Sequence, residues 1–68
     1  MKTIREWRDA SGMTQFQLAL RVGVTVQSIS NWETGLKQPT VSRFQRLADA
    51  LGVRMDEIRL TERKDGNK

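Results

Sequence analysis

Gln27, Ser30 and Asn31 stand three and four residues apart, the spacing that sets side chains next to one another on one face of a helix. Carboxamides such as Gln27 and Asn31 present a donor and an acceptor together, a pattern that matches N6 and N7 of adenine. The charged residues favour an anionic partner. Twelve Lys and Arg oppose eight Asp and Glu, a formal net charge of +4, and eight of the twelve are arginine. Arginine suits bidentate recognition of phosphate or guanine better than lysine does. A basic balance also describes an ordinary solvated face, so charge alone sets a direction and no more.

Several chemistries are excluded. The chain has no Cys and no His, which removes thiolate nucleophiles, imidazole bases, disulfides and Cys/His zinc sites. There is no Gly-rich phosphate loop, and the adjacent acids Asp56 and Glu57 point in different directions on a helix. No catalytic, cofactor-binding or metal-binding residue is expected. At 68 residues the chain is one domain with too small a core to enclose a substrate cleft. The longest apolar run, Leu18 to Leu20, is far too short for a membrane span, and the N-terminus lacks a signal peptide's apolar stretch. The absence of cysteine suits a reducing, cytoplasmic setting.

The elements that carry the amide face read as short helices. Ile4, Trp7 and Ala10 fall at helical spacing, giving a first helix over about residues 2 to 11 that Gly12 stops. Thr14 with Gln17 forms a capping-box pattern, and Met13 with Leu18 fits a hydrophobic staple. The second helix buries Leu18, Ala19 and Val22 before Gly23. Thr25 caps a third helix over Val26 to Glu33, with Ile29 and Trp32 inward. Leu36 to Pro39 is a loop. Thr40 caps a fourth helix to Leu51, with Val41, Phe44, Leu47, Ala48 and Leu51 inward, and Val53 with Met55 to Ile58 suggests a short fifth. No strand pattern appears. The domain is expected over residues 1–60, with 61–68 a flexible tail. The tight Gly23-Val24-Thr25 connection is the kind that sets two helices steeply in a helix-turn-helix.

The stretch from Thr14 to Gly35, TQFQLALRVGVTVQSISNWETG, resembles the helix-turn-helix of the Cro/cI-type (XRE-like) phage repressors and their bacterial relatives. The likeness continues through Pro39 to Val53, reaches back to Ile4 and covers about residues 2 to 60. Its motifs are the M-T-Q opening, Ala19, the G-V-T turn, the S-I-S-x-W-E-x-G end and the A-L-G-V close. The resemblance implies an all-α, compact five-helix lambda-repressor-like domain whose third helix lies in the major groove of double-stranded DNA. Base readers are then Thr25, Val26, Gln27, Ser30 and Asn31, near that helix's N-terminus. Gln15 matches a phosphate anchor, where free N–H groups favour an anion. The start of the fourth helix offers a second such place at Thr40, with Lys37, Gln38 and Arg43 nearby. Arg21 and Arg46 read as plain solvent charges. Glu33 matches an acid that pairs with an arginine of the first helix, here Arg8.

Two residues depart from the family pattern. Phe16 and Leu20 occupy positions that are usually polar. Phe16 either folds over the end of the first helix or joins Leu20 in an exposed apolar stripe. The leading expectation is a sequence-specific DNA-binding regulator, a repressor reading an inverted repeat as a homodimer. Leu36, Val53, Met55 and Ile58 are candidate dimer contacts, with Val53 and Ile58 also fitting the core. The alternative is an antitoxin-like or protein-interaction subunit that uses the stripe on a protein partner. RNA binding is disfavoured, because no strand presents an aromatic platform.

Overall fold

Threonine opens every α-helix among the described residues. A computed structural model describes residues 1–62 and contains α1 (Ile4–Ala10), α2 (Gln15–Val22), α3 (Val26–Thr34) and α4 (Val41–Leu51). The hydroxyls of Thr3, Thr14, Thr25 and Thr40 accept the backbone N–H of Glu6, Gln17, Ser28 and Arg43 respectively. Each satisfies one of the free donors at a helix start, an interaction typically contributing about 1 kcal/mol. At α1 and α2 the box closes: Glu6 Oε1 accepts Thr3 N–H at 2.9 Å, and Gln17 Oε1 accepts Thr14 N–H at 2.9 Å. The Thr3 N–H holds the Glu6 carboxyl below its ordinary range. That part of the cap is therefore complete above the ordinary carboxyl range and fades as pH falls through the folded value.

The turn between α2 and α3 depends on Gly23. Its φ of 84° lies in the left-handed region, which costs a residue with a Cβ roughly 1–2 kcal/mol. In that conformation the N–H groups of Gly23 and Val24 both reach the Ala19 carbonyl, at 2.8 and 3.0 Å. The chain enters α3 after three residues.

Ten residues form the buried core: Ile4, Leu18, Ala19, Val22, Ile29, Trp32, Leu47, Ala48, Leu51 and Ile58. α2 packs against both α3 and α4, and α1 lies against α3. Trp7 links the first helix to the last segment through an Nε1–H bond to the Glu57 carbonyl at 2.9 Å. The ammonium of Lys2 lies 4.6 Å from the Trp7 ring centre, within cation–π reach.

The structure differs from five of the sequence expectations. The expected fifth helix is a single 3-10 turn, Met55–Glu57, so the described residues hold four α-helices. Ile58 leaves that turn extended, with Arg54 N–H bound by the Glu57 carboxylate at 2.8 Å. Strand, which the pattern did not suggest, exists as two residues at each end: β1 (Lys2–Thr3) runs parallel to β2 (Ile58–Arg59), pairing Lys2 with Ile58 and Thr3 with Arg59. This ladder and the Thr3 cap move the start of the first helix from residue 2 to Ile4. Val41 is 76% exposed instead of inward, because the buried stripe of α4 fades through half-buried Phe44 toward the N-terminal end. Ala10 is exposed, and Arg8 joins Trp7 on the inner side of α1. The tail expected over 61–68 lies, from residue 63 on, outside the described residues.

Replacing Thr14→Ala removes the α2 cap and is expected to cost about 1 kcal/mol. In a domain this small that lowers the melting temperature by roughly 4–8 °C, measurable by circular dichroism.

Candidate nucleic-acid interface

α3 turns Ile29 and Trp32 into the core, which leaves its other side outward. Thr25, Val26 and Gln27 are exposed there, while Ser30 and Asn31 are half-buried. The structure brings Gln27, Ser30 and Asn31 to one face, and a direct bond joins two of them: Gln27 Nε2 donates to Asn31 Oδ1 at 3.0 Å. The Thr25 hydroxyl is engaged locally, accepting Ser28 N–H and lying 3.1 Å from the Ser28 hydroxyl. Val26 offers apolar surface only.

Beside this face, a three-residue network ties α1, α2 and α3 together. Arg8 Nε donates to Glu33 Oε2 at 2.6 Å and Nη2 to Oε1 at 3.3 Å. The two side chains keep only 12% and 5% of their surface exposed. Arg8 Nη1 reaches the Met13 carbonyl at 2.9 Å, just before the α2 cap. The hydrogen bond to Glu33 pushes the Arg8 pKa up, against the opposing effect of burial. Gln15, the first residue of α2, gives an Nε2–H to Glu33 Oε1 at 2.9 Å. Glu33 therefore carries no unmet charge toward the outward face, and Gln15 is held in one orientation with its second N–H and its carbonyl uncommitted.

The second expected anion-binding place is more mixed. Thr40 caps α4, and Lys37, Gln38 and Arg43 are all exposed. The Lys37 backbone N–H bonds the Asn31 carbonyl at 3.3 Å, which fixes the loop against α3. Gln38 instead sends its amide back to the Thr61 carbonyl at 3.1 Å. Arg21 and Arg46 border a cleft of about 440 Å³ with Asp49 and Ala50.

The apolar departures are on the surface. Phe16 is 60% and Leu20 67% exposed, so Phe16 does not fold over α1. Leu20 borders a groove of about 390 Å³ with Ser11, Gly12, Met13, Gln17 and Arg21. Of the dimer candidates, Ile58 is buried, Val53 and Met55 are half-buried and Leu36 is exposed.

The Gln15–Glu33, Gln38–Thr61 and Gln27–Asn31 bonds were not among the sequence expectations. The first two join residues 18 and 23 positions apart and carry no local signal. The third is an i, i+4 pair, and its spacing was visible.

Two helices joined by a three-residue turn, the second with a polar outward face beside a capped helix start, define a DNA-binding helix-turn-helix domain. A helix-turn-helix family model matches residues 4–58. An uncharacterized HTH-type transcriptional regulator of Methanothermobacter thermautotrophicus is 49% identical over 49 residues, covering 72% of this chain and 71% of that protein. The cryptic phage CTXphi transcriptional repressor RstR of Vibrio cholerae is 35% identical over 51 residues, covering 75% of this chain. An uncharacterized HTH-type regulator of Sinorhizobium fredii is 39% identical over 51 residues, again 75% of this chain. The match spans 46% of the cholera phage repressor and 66% of the rhizobial protein. The chain belongs to the helix-turn-helix family of transcriptional regulators, of the Cro/cI (XRE-like) type, and not to an enzyme family. No helix among the described residues is long and apolar enough to cross a membrane.

Arg8→Ala strands the Glu33 carboxylate with little exposure. Breaking one side of such a pair costs about 3–5 kcal/mol. A urea melt should show this loss, while the folded fraction keeps the base preference of the parent.

Proposed function

We propose that this domain represses transcription by binding an inverted repeat as a homodimer, with α3 in the major groove of each half-site. The observation that carries the reading is the outward amide face of Gln27 and Asn31, within two turns of the Thr25 cap, on a helix that Gln15 of α2 bonds at Glu33 and the Lys37 backbone bonds at Asn31. Thr25, Val26, Gln27, Ser30 and Asn31 face the bases, Val26 packing on a thymine methyl group. Gln15, Lys37, Thr40 and Arg43 hold phosphates on either side, and Gln38 joins them by releasing its bond to Thr61. Arg8 and Glu33 serve the fold. Residues 1–60 act as the DNA-binding unit, a shortened form of the five-helix lambda-repressor-like arrangement with its last helix reduced to one turn. The cytoplasm is its place of work.

One such domain reads only a few base pairs, so specificity in a genome calls for two. Two-fold pairing would set the recognition helices about 34 Å apart, one turn of duplex. Exposed Leu36 and Val41, in the segment leading from α3 into α4, supply apolar surface for that pairing. Relatives named as transcriptional regulators and as a phage repressor support the same reading.

Selection of bound duplexes from a randomised pool at about 0.15 M salt, with the stoichiometry of the recovered complex, tests the proposal. An enriched inverted repeat held by two chains is the expected result; a half-site bound by one chain would refute the dimer. Asn31→Ala is expected to relax preference at one base pair per half-site by about 1–3 kcal/mol. Lys37→Ala should weaken all duplexes alike and reduce the slope of log affinity against log salt by about 0.9 per chain.

A second reading rests on the exposure of Phe16 and Leu20: the stripe docks a partner protein, and DNA binding is secondary. Phe16→Glu separates the two. Unchanged operator affinity and a fully soluble, partner-free protein favour the repressor; loss of a co-purifying protein favours the partner.

A further inference from the structure

Gln27 and Asn31 are not two independent amides. Each carboxamide has two N–H donors and a carbonyl oxygen with two lone pairs. The 3.0 Å bond spends one N–H of Gln27 and one lone pair of Asn31. The bonded pair keeps, as its most available groups, the Gln27 carbonyl oxygen and both N–H donors of Asn31. Among the described residues no other side chain bonds these groups: Glu33 is taken by Arg8 and Gln15, and the Thr25 hydroxyl lies against that of Ser28. A single amide reading adenine must use its own oxygen and nitrogen together, the oxygen accepting from N6 and the nitrogen donating to N7. In the bonded pair these two tasks are divided between two side chains.

We propose that Gln27 and Asn31 read DNA as one unit: Asn31 donates to a purine N7 or guanine O6, and Gln27 accepts from the amino group of an adenine or cytosine on a neighbouring base pair. The inference rests on α3 being the helix in the groove. It assigns the chain a half-site with an acceptor edge beside an amino-bearing base, in place of two separately read adenines. Gln27 is then both a reader and the residue that orients Asn31.

The test is a double-mutant cycle on the parent's selected duplex and its single-base variants, using the full chain, Gln27→Ala, Asn31→Ala and the double variant. Each single change is expected to cost about 5- to 150-fold in affinity for the selected site. The double variant should lose little beyond the worse single one. In Gln27→Ala, the base preferred opposite Asn31 should shift toward adenine, because the freed carbonyl lets Asn31 use both N6 and N7. Losses that multiply, together with an unchanged preference opposite Asn31, would overturn the proposal. Side-chain amide NMR of the free protein keeps the two readings apart. One Gln27 amide proton should be shifted by its bond and lose that shift in Asn31→Ala; its absence overturns the coupling whatever DNA does. A parent protein that shows the bonded proton but enriches no base overturns the groove assignment itself, and the reading unit with it.

Discussion

The Glu33 carboxylate is the point on which the arrangement turns. It sits near the C-terminal end of α3, nearly buried, and takes hydrogen bonds from both Arg8 and Gln15. A carboxylate so placed is costly unless its charge is matched and its lone pairs are used. Arg8 meets both needs and spends its remaining reach on the Met13 carbonyl. One ion pair thereby fixes α1 against α3 and the entry to α2 at once. On the proposed DNA face, the same pairing that holds three helices together also offsets a negative charge that would repel phosphate.

Around that hub, the chain relies on local rules more than on core volume. Ten buried hydrophobic residues among those described are few, and each α-helix there is at most 11 residues long, too short to be stable alone. Four threonine caps define where the helices start, and left-handed glycines at Gly23, Gly35 and Gly52 define where three of them stop. The helix starts are also where backbone N–H groups point outward, so one set of residues both sets the boundaries and forms the approaches to the candidate DNA surface.

This explains what could be read in advance. Capping boxes and glycine stops are encoded within a few residues, so α2, α3 and α4 were legible to within a residue of their bounds. The direction of Ile29 and Trp32 followed from helical period, and with it the outward place of Gln27 and Asn31. Features that depend on residues far apart were not legible. β1 and β2 have no alternation because two residues cannot show one. Val41 continues the apolar period of α4, but period does not reveal where the packing partner ends. Phe16 allowed two placements from sequence, and only the packed structure shows it outward. The orientation of Gln15 and Gln38 required partners that no local pattern names.

The parallel ladder between Lys2–Thr3 and Ile58–Arg59 joins the first and last ordered segments of the described chain. A contact between such distant residues closes nearly the whole domain as one loop, and it gains its free energy only after the intervening helices have assembled. It thus acts as a clasp between the start of the domain and the residues that follow its last turn. Because the strands run parallel, a continuation beyond Arg59 leaves from the side where α1 begins, and any extension before Lys2 leaves from the opposite side. Met1 and Leu60 therefore attach to opposite ends of the same four-residue clasp.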